Sequence, residues 1–375
     1  MQHVDAVAVP VELRRNAQRF LLDVARPGDG MFPYSTTVRD GKYVNTFDHP
    51  QTVRYTINSL LGLQAAAQRD PEETDAAKVD ALTSAFLEKR ADAVANPADL
   101  GLLLVLLAEM GLSEDRARAT LQRIRPFAER AASLTMQELA WLVWGACAAV
   151  RAGLDGARDL AAQLAGVLVG EYVEPASGLP RHNTSAYRRG VVSFGATVYF
   201  LRALHEYAAT AEDSRAADLF SNGVRRIVDI QGEQGEWPWM IGVRSGRPLD
   251  FYPVFAVHQD SMAMLFLLPA LAHGLDVVDA IERSLAWVDG RNELGIPMTT
   301  GSPFVAYRSI ERAERAPRAR RYLRAALNGA AGRADAPAAG HGVRLNPECR
   351  SYHLGWILYA WSGVRDLPSG RRPAP

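Results

Sequence analysis

The chain is poor in the features that mark most specialised protein classes. It holds only two cysteines, Cys147 and Cys349, in 375 residues, which excludes a disulfide framework and fits a reducing compartment. It carries no charge excess, since 42 Lys and Arg balance 42 Asp and Glu. A general nucleic-acid binder shows a basic excess or a basic face, and a polybasic membrane anchor needs clustered cations, so neither partner is expected. Long apolar runs are missing as well. The two longest, near 100–107 and 262–272, stop short of the roughly 18 to 20 residues that span a bilayer. The N-terminus shows no basic stretch ahead of an apolar core, so a cytoplasmic location is expected. High Ala and Arg usage fits a high-GC bacterial source. Phosphate-cradling, dinucleotide, H-E-x-x-H and G-x-S-x-G motifs are absent, and neither a cofactor nor a metal is expected.

What the chain does have is helix. Alternating apolar and polar stretches are scarce, and apolar-rich helical stretches dominate. Three phrases repeat: MGLSEDRARATLQRI from Met110, AGLDGARDLAAQLAG from Ala152 and HGLDVVDAIERSLAW from His273. Gly111, Gly153 and Gly274 stand where a helix ends, because a left-handed C-cap favours a residue without Cβ. Ser113, Asp155 and Asp276 follow as N-cap candidates for the next helix. The spacing fits a unit of roughly 40 residues.

In that register six strongly apolar helices open near 47–50, 96–99, 135–138, 192–194, 258–261 and 349–353, each behind a polar cluster. Amphipathic helices are expected over 12–25, 74–91, 114–132, 156–173, 212–230, 277–290 and 309–327. Helices apolar all round, alternating with helices polar on one face, imply an inner ring inside an outer ring. The expectation is an all-α chain forming a single (α/α)6 toroid over 1–366, with a flexible tail at 367–375. An open solenoid would show more regular repeats. In a closed ring every inner helix starts at the same end, so the six polar clusters converge on one mouth.

Three loops at that mouth carry the unusual residues. The first, 26–55, holds Asp48, His49 and Arg54; Asp48 reads either as an N-cap ahead of Pro50 or as a cavity-facing carboxylate. The second, 178–200, holds Arg181, His182, Arg188 and Arg189, cations suited to phosphate, diphosphate or carboxylate. Glu138 stands beside Trp141 and Trp144 on an inner helix, and Glu348 precedes Tyr352, His353 and Trp356. Aromatic sets of this kind fill a core, or face a cavity and stabilise a cation.

In the third loop, 231–264, Gln231, Gly235 and Trp237 form Q-x3-G-x-W, which resembles the QW motif of squalene and terpenoid cyclases, a structural brace in those toroids. Gly246-Arg247-Pro248 with Asp250, and Tyr352-His353 followed by LGWILYAWSG, resemble segments of protein prenyltransferase β subunits. In those subunits an Asp, a Cys two residues later and a distant His bind zinc. Asp250 and His353 match, but Tyr252 stands at the Cys position and is a poor zinc ligand. The run from Val257 to Met264 is similar to the D-x-D-D-T-A of class II terpene cyclases, with Asp260 and Ser261 matching its last Asp and Thr and Gln259 replacing the catalytic Asp.

The resemblance implies a terpenoid-cyclase-like enzyme acting on an isoprenoid by proton-initiated carbocation chemistry. Asp260 would be the acid, kept protonated by an apolar cavity, with His258 beside it and His353, Glu138 and Asp48 as further acid or base groups. His49, Arg54, Trp141, Arg181, His182, Arg188, Trp237, Trp239, Tyr252, Tyr352 and Trp356 would bind or shape the substrate. The alternative is a carbohydrate-active (α/α)6 enzyme, either hydrolase, lyase or sugar epimerase, because the mouth is rich in hydroxyl-recognising side chains. Carboxylates about 5 to 9.5 Å apart would mark glycoside hydrolysis, and facing histidines would mark proton abstraction at a sugar carbon. A third reading is a non-catalytic binding toroid.

Overall fold

The computed structural model describes residues 9–185, 189–314 and 342–367, together with positions 320, 323, 324 and 327. Among them, twelve α-helices alternate between two rings. The outer ring holds α1 (Val11–Val24), α3 (Ala76–Lys89), α5 (Glu114–Ala128), α7 (Ala157–Glu171), α9 (Ser214–Val228) and α11 (Val278–Val288). The inner ring holds α2 (Thr52–Arg69), α4 (Pro97–Glu109), α6 (Met136–Arg151), α8 (Phe194–Ala211), α10 (Met264–Ala272) and α12 (Ser351–Trp361). Each inner helix packs on the next in that order, and α12 closes back on α2. This is the (α/α)6 toroid that the alternation of patterns implies.

Burial explains the sorting. Helix α4 is buried without a break from Ala98 to Leu107, whereas α5 buries only Ala117, Thr120, Leu121, Ile124 and Ala128, a single stripe at helical spacing. The repeated Gly-Leu phrase performs the turn between rings. Gly111, Gly153 and Gly274 adopt φ of +64°, +76° and +78°, and the following Leu112, Leu154 and Leu275 donate back to Leu107, Ala149 and Ala270, each at 3.0 Å. Of the three N-cap candidates, Ser113 caps α5 by accepting from Arg116 N. Asp155 and Asp276 are exposed, because α7 and α11 begin one residue later, behind Gly156 and Val277.

Inner helices approach closely where both partners lack a side chain. A Cβ on Gly62 of α2 would lie 2.1 Å from the Gly355 carbonyl of α12, and one on Gly145 of α6 would lie 2.6 Å from the Gly101 carbonyl of α4. Because the obstruction is backbone, Gly62→Ala is expected to destabilise the protein by roughly 3 kcal/mol. A urea midpoint equal to that of the wild type would show instead that α2 and α12 can separate at no cost. The end of the ring away from the mouth is closed by Arg202, which pairs with Glu206 and stacks over Trp144 at 4.8 Å. Arg69 and Arg151, the last residues of α2 and α6, place cations at helix C-termini there.

The structure also contains strands that the sequence pattern did not reveal. β1 (Ser35–Arg39) pairs with β2 (Lys42–Thr46); β3 (Val191–Ser193), β4 (Met240–Gly242) and β5 (Pro248–Asp250) form a second antiparallel sheet; β6 (Val254–Phe255), β7 (Ser309–Arg312) and β8 (Val343–Asn346) form a third. Runs of two to five residues are too short for alternation to show. They lie in the loops ahead of inner helices and build the mouth. The helix expected over 309–327 is corrected at its start: Ser309 and Ile310 pair with Phe255 and Val254 on one side and with Asn346 and Leu345 on the other. Most positions beyond 314, and the tail from 368, lie outside the described residues. No helix among the described residues is long and apolar enough to cross a membrane.

Candidate active site

The first turns of the inner helices meet at an open cavity of about 610 Å³, open solvent included. Helix α2 contributes Arg54, Tyr55 and Asn58, and α6 contributes Gln137 and Trp141. Helix α8 contributes Gly195, Ala196 and Tyr199 behind its capping residue Ser193. His258 and Met262 come from the turn preceding α10, Tyr352 from α12, and Trp239 and Phe255 from the strand loops. Helix α4 acts at one remove: Asp99 pairs with Arg54 Nε, and Asn96 accepts from its Nη2 at 3.0 Å. The Arg54 guanidinium lies 5.2 Å from the Trp141 ring, so it is oriented from three sides.

His258 opens a π-helical turn, His258–Met262, in which Ala263 N donates to the His258 carbonyl at 3.2 Å. Such turns are frequent at functional sites because they re-aim side chains out of the ordinary helical register. The Phe194 and Phe255 rings flank the imidazole at 5.0 and 5.1 Å. Burial, with a smaller contribution from the nearby His353, pushes its pKa down to about 3. The imidazole is therefore neutral across the physiological range, and its Nδ1 has no hydrogen-bond partner among the described residues.

Asp260 takes the other side of the same turn. It is 0% exposed, and both of its carboxylate oxygens lie 2.8 Å from Nε2 of His353, itself 2% exposed. A carboxylate only accepts, so His353 carries its proton on Nε2, and a neutral ring holds its lone pair on Nδ1. The indole of Trp361 donates to the Asp260 carbonyl, which fixes the dyad from below. Two further wall residues hold unmet hydrogen-bonding capacity: Asn58 Oδ1 and Trp141 Nε1 are buried without partners among the described residues. Burial raises the pKa values of Tyr55, Tyr199 and Tyr352, so all three phenols keep their protons.

The residues nominated from sequence fall into three groups. Arg54, Trp141, Trp239, His258 and Tyr352 line the cavity, and His353 joins Asp260 behind it. His49 stacks on Tyr34 at 3.5 Å and accepts from Gln51 N at 3.1 Å, an outer part of the mouth. Others are engaged elsewhere. Asp48 is exposed, the N-cap position of α2 belonging to Gln51. Glu138 closes a capping box, its carboxylate accepting from Thr135 N at 2.7 Å; the T-x-x-E spacing that marks such a box was visible in the sequence. Arg181 is bound to Glu174 at 3.0 Å and to the Glu171 carbonyl at 3.1 Å. The carbonyl of His182 accepts from Met136 N at 2.9 Å, tying its loop to α6. Arg188 lies outside the described residues.

Trp237, Tyr252 and Trp356 are buried away from the cavity. Trp237 donates to Ser284 Oγ at 2.8 Å while Gln231 donates to Gly235 O, Ala280 O and Ser284 Oγ, so the Q-x3-G-x-W residues brace the loop after α9 against α11. With its amide turned so that oxygen and nitrogen both find partners, Gln259 spans to the same brace, donating to Gly235 O at 2.9 Å and accepting from Trp237 N at 3.2 Å. Tyr252 donates to Glu293 at 3.0 Å, and Trp356 donates to Tyr199 OH at 3.1 Å. Asp250 is held by Arg312 at 2.9 Å, while His353 is held by Asp260, so these two do not share a metal. No cluster of three His, Cys, Asp or Glu capable of holding a metal occurs among the described residues.

Sequence reading missed Tyr55, Asn58, Gln137, Tyr199 and Phe255. Arg54 and Asn58 stand at i and i+4 of α2, a spacing that puts both on one helical face.

No family model matches the sequence, and no curated protein matches it. Solved structures do share its fold. A cellobiose 2-epimerase from Bacillus thermoamylovorans superposes with a TM-score of 0.65 at 12% identity, over 94% of this chain and 98% of that one. An α-1,6-mannanase from Salegentibacter sp. gives 0.58 at 12%, over 94% and 98%. An unsaturated glucuronyl hydrolase specific for heparin gives 0.58 at 12%, over 93% and 94%. The isoprenoid cyclase expectation is thereby corrected: the toroids that this chain matches here are those of sugar enzymes, and Asp260, the acid it required, is tied to His353 behind the cavity wall. At these identities the likeness shows the fold, an (α/α)6 toroid shared with enzymes of carbohydrate chemistry.

Proposed function

We propose that this protein is a carbohydrate-active enzyme that moves a proton at the carbon beside a sugar carbonyl, as an epimerase or isomerase. One observation carries the reading. The acid–base group on the cavity wall is a neutral imidazole, with a second imidazole locked behind it, and no Asp or Glu lines the cavity among the described residues. Two-carboxylate glycoside hydrolysis has no candidate pair there. The unmet hydrogen bonds of Asn58 and Trp141, with the protonated phenols of Tyr55, Tyr199 and Tyr352, suit a polyhydroxylated ligand. The toroids of the sugar enzymes above support the substrate class.

In this reading an open-chain reducing sugar binds with its carbonyl carbon and the neighbouring carbon over His258. The neutral imidazole takes the proton from that neighbouring carbon, and the C–H electron pair becomes the double bond of an enediolate. The imidazolium so formed returns that proton, either to the former carbonyl carbon, with a hydroxyl proton passing between the two oxygens, to give a ketose, or to the opposite face of the same carbon after the enediolate has turned, to give the epimer. His353, anchored to Asp260 behind the wall, holds the turn that carries His258 in place. Atoms and charge balance without an oxidant or reductant. An imidazole of such low basicity is a weak base in isolation. In a cavity of low effective dielectric, the imidazolium–enediolate attraction offsets much of that deficit.

The test is incubation of the protein with a panel of reducing mono- and disaccharides in deuterium oxide, followed by proton NMR. Loss of the signal of the hydrogen beside the carbonyl, with growth of an epimer or ketose, is the expected result. Cleavage of glycosidic bonds with no exchange at that carbon would sink the proposal.

A further inference from the structure

The loop of Arg181 was expected to supply the positive face of the mouth, but Arg181 is consumed by Glu174. The structure builds a positive wall elsewhere. Arg308 Nη1 and Arg350 Nη2 both donate to the same oxygen of Glu348, at 3.0 and 2.6 Å. Two guanidinium groups thus share one carboxylate. Arg350 is 5% exposed along its side chain, lies 3.8 Å from the Tyr34 ring, and leaves Nε and Nη1 buried without partners among the described residues. Arg308 is the accessible member, with 29% of its side chain exposed and its guanidinium 5.6 Å from the ring of Phe255, a cavity residue. Its backbone is pinned on both sides, donating to Asn346 O and accepting from Ala256 N, so the side chain starts from a rigid base.

The Trp141 part of the wall has a different balance. There Arg54 is committed to Asp99, and Glu138 lies close enough for its charge to act on Asp99. On the Trp141 side one guanidinium is thus offset by two carboxylates, whereas on the Phe255 side two guanidinium groups are offset by one. Resting on the sugar reading above, we infer that the substrate carries an anionic group, a carboxylate or a phosphate, held by Arg308 with Arg350 fixed behind it. Guanidinium groups suit both, since their planar donors match paired anionic oxygens.

The experiment is calorimetric titration of the full-length protein with D-glucuronate, D-glucose 6-phosphate and D-glucose. At least one anionic sugar is expected to bind about tenfold or more tightly than glucose, and the tighter of the two identifies the group. Arg308→Gln removes the preference. Glu348→Gln, which frees Arg308 from its competitor, strengthens anion binding several-fold, a gain that a merely structural role does not produce. Glucose binding as tightly as both anions, or a folded R308Q protein that keeps the preference, overturns the inference. The outcome is separable from the proton-transfer reading. Anion-selective binding without proton exchange sinks that reading alone, while proton exchange on glucose with no anion preference sinks this one alone.

Discussion

Replacing His258 by Asn is expected to abolish deuterium exchange on the sugar substrate, lowering kcat/KM by about a thousandfold, while the melting temperature changes little. The reason lies in what the imidazole does in the folded protein. It is held between Phe194 and Phe255, and its Nδ1 bonds to nothing among the described residues. An asparagine there breaks no existing hydrogen bond at Nδ1 but supplies no lone pair able to take a proton from carbon. The pH dependence adds a second reading of the same residue. Because burial and His353 push its pKa down to about 3, protonation of His258 removes the base only near that pH, so any loss of activity around pH 6 must come from another group. Substantial exchange by a folded His258→Asn protein would show that a different residue is the base.

Asp260→Asn is the second large effect. The substitution preserves shape but exchanges a carboxylate for a neutral amide at 2.8 Å from His353 Nε2. The amide can present its own donor to the ring and reverse the tautomer, which breaks the bond that anchors the His258 turn to α12. A drop in kcat/KM of about 10² is expected, carried by kcat, because the base is displaced from the reacting carbon. Asp260 acts here as a positioning residue, and a fall in kcat with KM and the urea midpoint little changed distinguishes that role from a purely structural one. Equal kcat/KM would remove the dyad from the mechanism. Asp260→Ala leaves the imidazole without its acceptor and opens a void, so its defect mixes stability with turnover and is the poorer test.

The relation between His258 and Asp260 also shows where sequence reading reached its limit. The two were expected side by side because they are two positions apart. On a helical turn, however, residues i and i+2 do not face each other, and here one lines the cavity while the other is buried beneath it. The partner of Asp260 is 93 positions away, brought near only because α10 and α12 are neighbours in the closed ring. Glu138 illustrates the converse. Its capping role was written locally, in Thr135-Met136-Gln137-Glu138, and proximity to Trp141 and Trp144 made a catalytic reading attractive when the simpler one sufficed. Trp237 and Trp356 share a third cause: an aromatic residue on an inner helix or loop has the same local sequence whether it walls a cavity or packs a core, and nothing local separates the two.

By itself, the sequence determined the two rings, the turns between them and the end at which the polar groups gather. Those depend on relations within one helix: apolar coverage all round or on one face, a Gly at C′, a capping residue four positions or fewer from its partner. Only the tertiary structure decided which polar groups face the cavity, which are spent on ion pairs and caps, and where the positive wall stands. Those outcomes depend on contacts between Arg308, Arg350 and Glu348, or His353 and Asp260, from different segments of the chain. Closure of the ring sets such distances, and no local spacing encodes them.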